Sequence, residues 1–409
     1  MSTAFAVIGA GWGDEGKGLM TDALATPGSV VVRANGGAQA GHTVRRPDGT
    51  RHVFHHVGSG ALRGAATFLS RFFIHNPILL LEELTALDAL GISPALYADP
   101  AGLVTTPWDM MINQIAEEAR SNGRHGSCGM GINETIRRSE HEEFRLHFRD
   151  LADPARLRGT ARRIQHEWGP TRLAALGFQP SENWRARLAA GTIAERFVQD
   201  AEDMACIVMS NDGGIAKASA RVGALIFEGA QGLLLDQDHP FFPYVTPSKT
   251  GLANPSTLAT EWGIEKITAI YMTRAYATRH GAGPFPRATP GMVFADETNV
   301  PNEWQGALRF GALDLDLLAA AIHKDEARAP VQIEKYLAMT CMDQIGDRAV
   351  WWQNDAMHRG AGSELFEAAR AHLGLPVAAV SHGAYRENVV FLSGFGRSRE
   401  TTSLSPIGS

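Results

Sequence analysis

Four glycines, two acids and a lysine crowd into nine residues near the start of this sequence: Gly11-Trp12-Gly13-Asp14-Glu15-Gly16-Lys17-Gly18-Leu19. The glycines let backbone N–H groups close on an anion, and Lys17 adds a positive charge. The spacing Gly11-x4-Gly16-Lys17 matches a phosphate-binding loop up to its last position. There Gly18 stands where a Ser or Thr would ligate Mg²⁺. Asp14, inside the loop, is then the replacement ligand, or a base.

An apolar run, Ala4–Ile8, precedes the loop and reads as a buried strand. Similar runs recur at Ser29–Arg33, Ala224–Phe227, Ile267–Thr273, Tyr336–Thr340 and Val377–Val380. Apolar residues at helical spacing mark Pro77–Leu90 and Trp108–Arg120. Strands alternating with helices predict an α/β fold, a single large domain around a mainly parallel sheet with the phosphate loop after its first strand. The stretch 150–209 reads as an inserted helical subdomain. The catalytic domain is expected over residues 1–397, with a Ser/Thr-rich tail at 398–409. Glycine-rich stretches follow the strands: Gly36–Thr43, Gly126–Arg138, Glu228–Thr250, Thr278–Pro286, Asn302–Asp314 and Ser381–Asn388. Such loops at the carboxyl ends of parallel strands are where α/β folds hold ligands.

The 409 residues are 44% hydrophobic and 20% charged, with a net charge of −6. That composition supports a sizeable core and gives no basis for bulk attraction to nucleic acid. Basic residues gather between Arg156 and Arg172, which reads as a solvated helix face. Cys128, Cys206 and Cys341 are odd in number and widely spaced, against a disulfide framework or zinc cluster. No run reaches the ~18 apolar residues of a membrane span and no targeting segment is read, so the expected compartment is the cytoplasm.

Five segments together resemble the adenylosuccinate synthetase family. They are Gly11–Gly18 (GWGDEGKG), Gly36–Thr43 (GGAQAGHT), Phe227–Asp236 (FEGAQGLLLD), Pro243–Thr246 (PYVT) and Ala277–Pro286 (ATRHGAGPFP), in the family's order. The resemblance implies a two-step ligation. A nucleoside triphosphate phosphorylates O6 of a 6-oxopurine nucleoside monophosphate, and the amine of L-aspartate then displaces phosphate. It implies that Asp14 is the general base and a Mg²⁺ ligand, with the Gly41 carbonyl as second protein ligand. His42 would be the partner acid, Lys17 would neutralise phosphate charge, and Gln231 would orient the base at its O6/N1 edge. Nucleotide and phosphate contacts are implied for Gly13, Glu15, Gly16, Gly18, Gln39, Gly41, Thr43, Ser127, Cys128, Gly129, Arg138, Thr246, Asp343, Ser381 and Gly383. Arg309, Gly311 and Thr273 would hold aspartate. A homodimer is implied as well.

The chain departs from the family pattern near the substrates. Cys128 replaces a threonine in the Gly126–Thr135 loop, where Arg137 or Arg138 is the nearest stand-in for a cross-subunit arginine. Gln39 replaces an asparagine, and a lone Arg309 in Gln305–Gly311 replaces an arginine run. Cys341-Met342-Asp343 stands for a Lys-x-Asp that reads the donor base, which opens the donor to ATP as well as GTP. Ser381-His382-Gly383 keeps the serine and glycine of a final turn but not its proline. This set resembles the phage branch, the 2-aminoadenylosuccinate synthetases that take dGMP; in that case the compartment is a host's cytoplasm. IMP is the alternative substrate. A nucleotide-binding switch without ligase chemistry is the alternative from another class.

Overall fold

The computed structural model describes residues 2–120, 127–289, 291–296, 298–299, 306–326, 331–393 and 395. Gly126, the stretch 302–305 and the tail 398–409, all read above from the sequence, lie outside these.

Among the described residues, ten strands make the central sheet: β1 (Thr3–Gly9), β2 (Val30–Arg33), β3 (Ala66–Leu69), β4 (Leu96–Ala98), β5 (Met209–Ser210), β6 (Leu225–Gly232), β7 (Lys266–Arg274), β8 (Gln332–Thr340), β9 (Val377–Ser381) and β10 (Val389–Phe391). Their order is β10-β9-β8-β7-β1-β6-β2-β3-β4-β5. All neighbours are parallel except β9 and β10. The sheet therefore presents the carboxyl ends of nine strands along one edge. All six strands expected from the sequence are in it, and the fold class is the α/β arrangement anticipated. The chain leaves β1 with β6 on one side and β7 on the other, so the loop at Ala10–Gly16 opens at the middle of that edge.

Alternation along β1 shows how the sheet is covered. Ala4, Ala6 and Ile8 join one buried cluster, with Phe227, Trp262 and Leu337. Val7 joins a cluster on the opposite face, with Met20, Ile226 and Ile270. A further cluster builds the helical part. Helix Pro107–Ala119 starts at a capping box, Thr106 with Asp109, and turns Trp108, Ile112 and Ile115 inward. Against them pack Leu157, Ile164, Phe197 and Met204 of helices Pro154–Arg163 and Gly191–Ile207 and the π-turn Ile164–Trp168. Among the described residues no helix is long and apolar enough to cross a membrane.

Behind the strand pair His42–Arg45 and Arg51–Phe54, buried histidines surround Glu83. Glu83 accepts the backbone N–H of His55, His56 and Val57 at 3.0, 2.7 and 3.2 Å. Burial pulls His75 down to about 3, with the neighbouring His56 adding to the effect. Burial also lowers His56, against the pull of Glu83. Both are neutral in the folded protein at pH 7 and ordinary in the unfolded chain. Between the two values the unfolded chain binds more protons, so acid favours unfolding. For His75 this contribution is expected to be full above about pH 6.5 and to fall as pH drops towards 3, by up to ~1.4 kcal/mol per pH unit, and His56 acts in the same direction. Urea unfolding at pH 7.5, 6.5, 5.5 and 5.0 checks this. A flat profile, or one unchanged by His75→Phe, would contradict it.

Candidate functional site

The Gly-rich loop after β1 folds back because Gly13, Asp14 and Gly16 adopt left-handed backbone conformations, at φ 99°, 62° and 86°. Helix Lys17–Leu24 then begins at Gly16 with no side-chain cap. Its first N–H groups are left for an external anion. Glu15, expected to touch nucleotide, instead turns inward and is 3% exposed. Its Oε1 accepts from the N–H of Gly11 (3.1 Å) and Gly13 (2.8 Å), and Oε2 lies 2.7 Å from Lys17 Nζ. Glu15 thus braces the loop from behind and balances the lysine. The missing Ser/Thr also has a cause. A Cβ on Gly18 would stand 2.9 Å from His42 Cβ, so the helix start and the His42 strand touch only because residue 18 is glycine.

His42 is positioned by a buried ionic network. Its Nδ1 lies 2.7 Å from Glu228 Oε1. Arg33 Nη1 lies 3.0 Å from Glu228 Oε2, with both side chains fully buried. Ser59 donates its N–H (3.1 Å) and its hydroxyl to the same carboxylate. Burial works to raise the Glu228 carboxyl, but His42, Arg33 and Ser59 outweigh it and hold it at about 2. Burial draws the imidazole down to about 4 against the pull of Glu228. A neutral ring beside an ionised carboxylate at 2.7 Å carries its proton on Nδ1 and donates it to Glu228. That leaves Nε2 as the nitrogen free to act.

One cavity of about 390 Å³ brings together Gly13, Asp14, Gly16, Lys17, Gly18, Gln39, Gly41, His42, Thr43, Cys128 and Gln231, with Arg274, His280, Thr298 and Asn299 on its wall. Asp14 and His42, the two groups asked to handle protons, share it. Asp14 Oδ2 lies 3.6 Å from His280 Nε2, and its carbonyl accepts from Arg274 Nε. Cavity residues also hold buried side-chain atoms without partners among the described residues: Trp12 Nε1, both amide atoms of Gln39, Thr43 Oγ1, Gln231 Oε1 and His280 Nδ1. Left unpaired, such atoms cost about 1–3 kcal/mol each, so their concentration here fits a polar ligand with donors and acceptors of its own. Gln39 and Gln231 converge beside Gly36, whose Cβ would stand 3.2 Å from Gln39 Nε2 and 3.3 Å from Gln231 Oε1. Burial pushes the Cys128 thiol up to about 11, which makes it wall rather than nucleophile.

Other expected residues stand elsewhere. Ser127 accepts from Asn113 Nδ2 at 2.8 Å, and the Gly129 carbonyl from Gln114 at 3.2 Å, so both are tied to helix Pro107–Ala119. Arg138 does not reach the cavity. It is fully buried against Asp109 (3.0 Å) and donates to the carbonyls of Val104 and Phe144. Arg309 also lies outside the cavity lining. Its two terminal nitrogens donate to the carbonyls of Gly283 (3.1 Å) and Gly281 (2.7 Å). Thr273 bonds the Arg274 carbonyl at 2.9 Å, and Gly311 is packed against the Arg287 backbone. Thr246 is not among the cavity-lining residues, and its N–H donates to the carbonyl of Leu235, which is. Asp343 is exposed in the short helix after β8. The Ser381 hydroxyl donates to the Gly383 carbonyl at 2.7 Å.

The sequence reading missed Arg33, Arg274 and Glu228. Glu228 had a signal, being the one acid in a run of otherwise apolar and small residues, Leu225–Ala230. Among the described residues no three His, Cys, Asp or Glu side chains gather to hold a metal. Asp14 and Gly41 both line the cavity, and a carboxylate with a backbone carbonyl is the kind of partial oxygen set a Mg²⁺ takes when phosphate and water complete it.

Comparison with known proteins follows the same line. The adenylosuccinate synthetase family matches residues 6–345. The adenylosuccinate synthetase of Microcystis aeruginosa (strain NIES-843 / IAM M-2473) is 33% identical over 290 residues, 70% of this chain and 63% of that protein. That of Acaryochloris marina (strain MBIC 11017) is 36% identical over 283 residues, 68% of this chain and 61% of that protein. The match thus spans somewhat under two-thirds of the length of these relatives. In fold, the chain is similar to the fully ligated adenylosuccinate synthetase from Plasmodium falciparum (TM-score 0.73, 16% identity, 96% of this chain and 100% of that one). It is also similar to cyanophage S-2L succinoaminodeoxyadenylate synthetase bound to dGMP and dATP (TM-score 0.60, 18% identity, 96% and 95%).

Proposed function

The chain belongs to the adenylosuccinate synthetase family, and we propose that it joins L-aspartate to C6 of a purine nucleoside monophosphate at the expense of a nucleoside triphosphate. The observation that carries this is the cavity shared by Asp14, His42, Gln39 and Gln231, in which both amide atoms of Gln39 and the amide oxygen of Gln231 have no partner among the described residues. In the first step the purine O6 attacks the γ-phosphorus, the N1 proton passes to Asp14, and a nucleoside diphosphate leaves. In the second the amine of aspartate attacks C6, the C6–O6 bond breaks, inorganic phosphate departs and the amine sheds a proton. Lys17 and the uncapped helix start receive phosphate charge. His42 takes a proton from solvent on Nε2 as the phosphates bind, because Glu228 beneath it stabilises the imidazolium, and it then hydrogen-bonds the oxygen where charge develops. Asp14 and the Gly41 carbonyl would hold Mg²⁺, which when bound neutralises charge on the transferred group.

For the nucleotide we infer dGMP. Among the described residues, Gln39 Oε1 and Gln231 Oε1 are both acceptors without donors. A guanine brings an exocyclic amine that hypoxanthine lacks, so it satisfies more of this wall. The fold likeness to a protein bound to dGMP and dATP, and the loss of the lysine at Cys341-Met342-Asp343, support dGMP with ATP as donor. IMP remains the second reading, favoured by the adenylosuccinate synthetases among the relatives. Phosphate release with Mg²⁺, aspartate and each of dGMP, GMP and IMP, under ATP and then GTP, tests both. The expected ranking puts dGMP with ATP first. A kcat/KM for IMP about tenfold above that for dGMP would transfer the assignment to IMP. Phosphate release that ignores aspartate would indicate a switch or hydrolase.

A further inference from the structure

We propose that His55 is a positioning residue for the ligation: its Nδ1–H clamps the loop between β2 and His42 and so sets where Gln39 stands in the cavity; this rests on the ligase reading above. His55 follows the strand Arg51–Phe54, which pairs with His42–Arg45, and it lines the same cavity as Asp14 and His42. Its Nδ1 lies 3.0 Å from the Ala38 carbonyl and 2.9 Å from the Ala40 carbonyl. Both partners are acceptors only, so Nδ1 carries a hydrogen and shares it between them. Among the described residues no other side chain reaches either carbonyl. The two carbonyls flank Gln39, so the shared hydrogen fixes the backbone on both sides of it.

The sequence of the loop makes an outside clamp necessary. Apart from Gln39, residues 36–41 are glycine and alanine, so few side chains hold the segment from within. Its Ala40 N–H reaches the Gly37 carbonyl only at 3.3 Å, beyond the usual range of such bonds. The clamp, by contrast, has a fixed base. The His55 N–H donates to Glu83 Oε1 at 3.0 Å, and Arg33 Nη2 donates to the His55 carbonyl at 3.2 Å. Glu83 stands on helix Pro77–Asp88, and Arg33 is paired with Glu228 beneath His42. His55 is thus tied through its backbone to the network that orients His42, and through its ring to the loop that leads into His42. Packing agrees with this. A Cβ on Gly41 would stand 3.4 Å from His55 Cε1 and 3.1 Å from Val53 Cγ1, so ring and loop lie against each other there.

The test moves the donor nitrogen and keeps the backbone. In His55→Asn the amide nitrogen falls close to the place of Nδ1, whereas in His55→Gln it falls nearer that of Nε2. His55→Phe keeps the bulk of the ring and offers neither. All three leave the backbone bonds to Glu83 and Arg33 available. In His55→Gln and His55→Phe, kcat/KM for the purine monophosphate is expected to fall at least ~30-fold, because a displaced loop misplaces the base against Asp14. His55→Asn is expected to recover to within about fivefold of the unaltered value. Hydrogen exchange at the amides of residues 36–42, read by mass spectrometry on the protein without ligands, should quicken at least ~10-fold in His55→Gln and His55→Phe and not in His55→Asn. Activity kept in His55→Gln and lost in His55→Asn would assign the work to Nε2 and overturn the clamp. Unchanged exchange over 36–42 in both His55→Gln and His55→Phe overturns it too, as does faster exchange with undiminished kcat/KM. Without turnover of any 6-oxopurine monophosphate by the unaltered protein the ligase reading falls, and the exchange data alone decide the clamp. Should His55→Gln not fold, His55→Phe against His55→Asn gives the same comparison.

Discussion

Asp14→Asn is expected to lower turnover by at least ~10²-fold while the purine monophosphate still binds. Asparagine is the informative substitution because residue 14 sits at φ 62°, a left-handed conformation that asparagine and aspartate tolerate and most other residues do not. The loop therefore keeps its path, and the Arg274 bond to the residue 14 carbonyl is kept with it. What disappears is the carboxylate that accepts the N1 proton. Without it O6 attacks as a neutral amide oxygen, a far weaker nucleophile. Asp14→Ala removes the same base and adds backbone strain, so it should fall at least as far. Steady-state phosphate release gives the rate, and titration with monophosphate gives the affinity. Turnover of Asp14→Asn above a tenth of the unaltered rate would remove Asp14 from the role of base.

Asp14, Lys17, Gln39, His42 and Gln231 were legible because the signal for each is local. Glycine spacing sets the loop, and a loop at the end of a buried strand sets its place on the sheet. Short strands were harder. Ala66–Leu69 and Leu96–Ala98 run for only four and three residues, too few for a period to show. Gln332–Lys335, which precedes the apolar run Tyr336–Thr340, forms the half-exposed start of β8, with Lys335 reaching Glu326 at 2.8 Å. Arginines were the least legible. Arg138 beside a Gly-rich loop reads as a phosphate ligand, but its partner Asp109 comes from another helix 29 residues away. Arg309 finds its carbonyls 26 and 28 residues back. A guanidinium is long and its five donors take whatever acceptors the tertiary fold supplies, so sequence spacing says little about where it is spent. Glu228 was hidden for the opposite reason. It stands in a quoted motif, but nothing local tells that its face of β6 meets His42 rather than the core.

Glu228→Gln is expected to cost about 10²-fold or more in kcat, with little change in the KM for nucleotide. The carboxylate fixes the His42 proton on Nδ1 at 2.7 Å and supplies the charge that lets Nε2 gain one. A neutral amide can still hold the ring in place, but it no longer favours the imidazolium. The variant also strands Arg33, whose side chain is fully buried and ion-paired to Glu228. Removing one partner of such a pair typically costs about 3–5 kcal/mol, so a drop in melting temperature should accompany the loss of rate. A double-mutant cycle separates the two effects. If Glu228 works through His42, adding Glu228→Gln to His42→Asn should cost almost no further activity, though it still lowers stability. Losses in kcat that simply multiply would mean that Glu228 supports the fold and Arg33 rather than the imidazole. Glu228→Asp supplies the remaining check. It keeps the charge at a shorter reach, so it should recover part of the rate, whereas a purely steric role for residue 228 predicts that aspartate fares worse than glutamine.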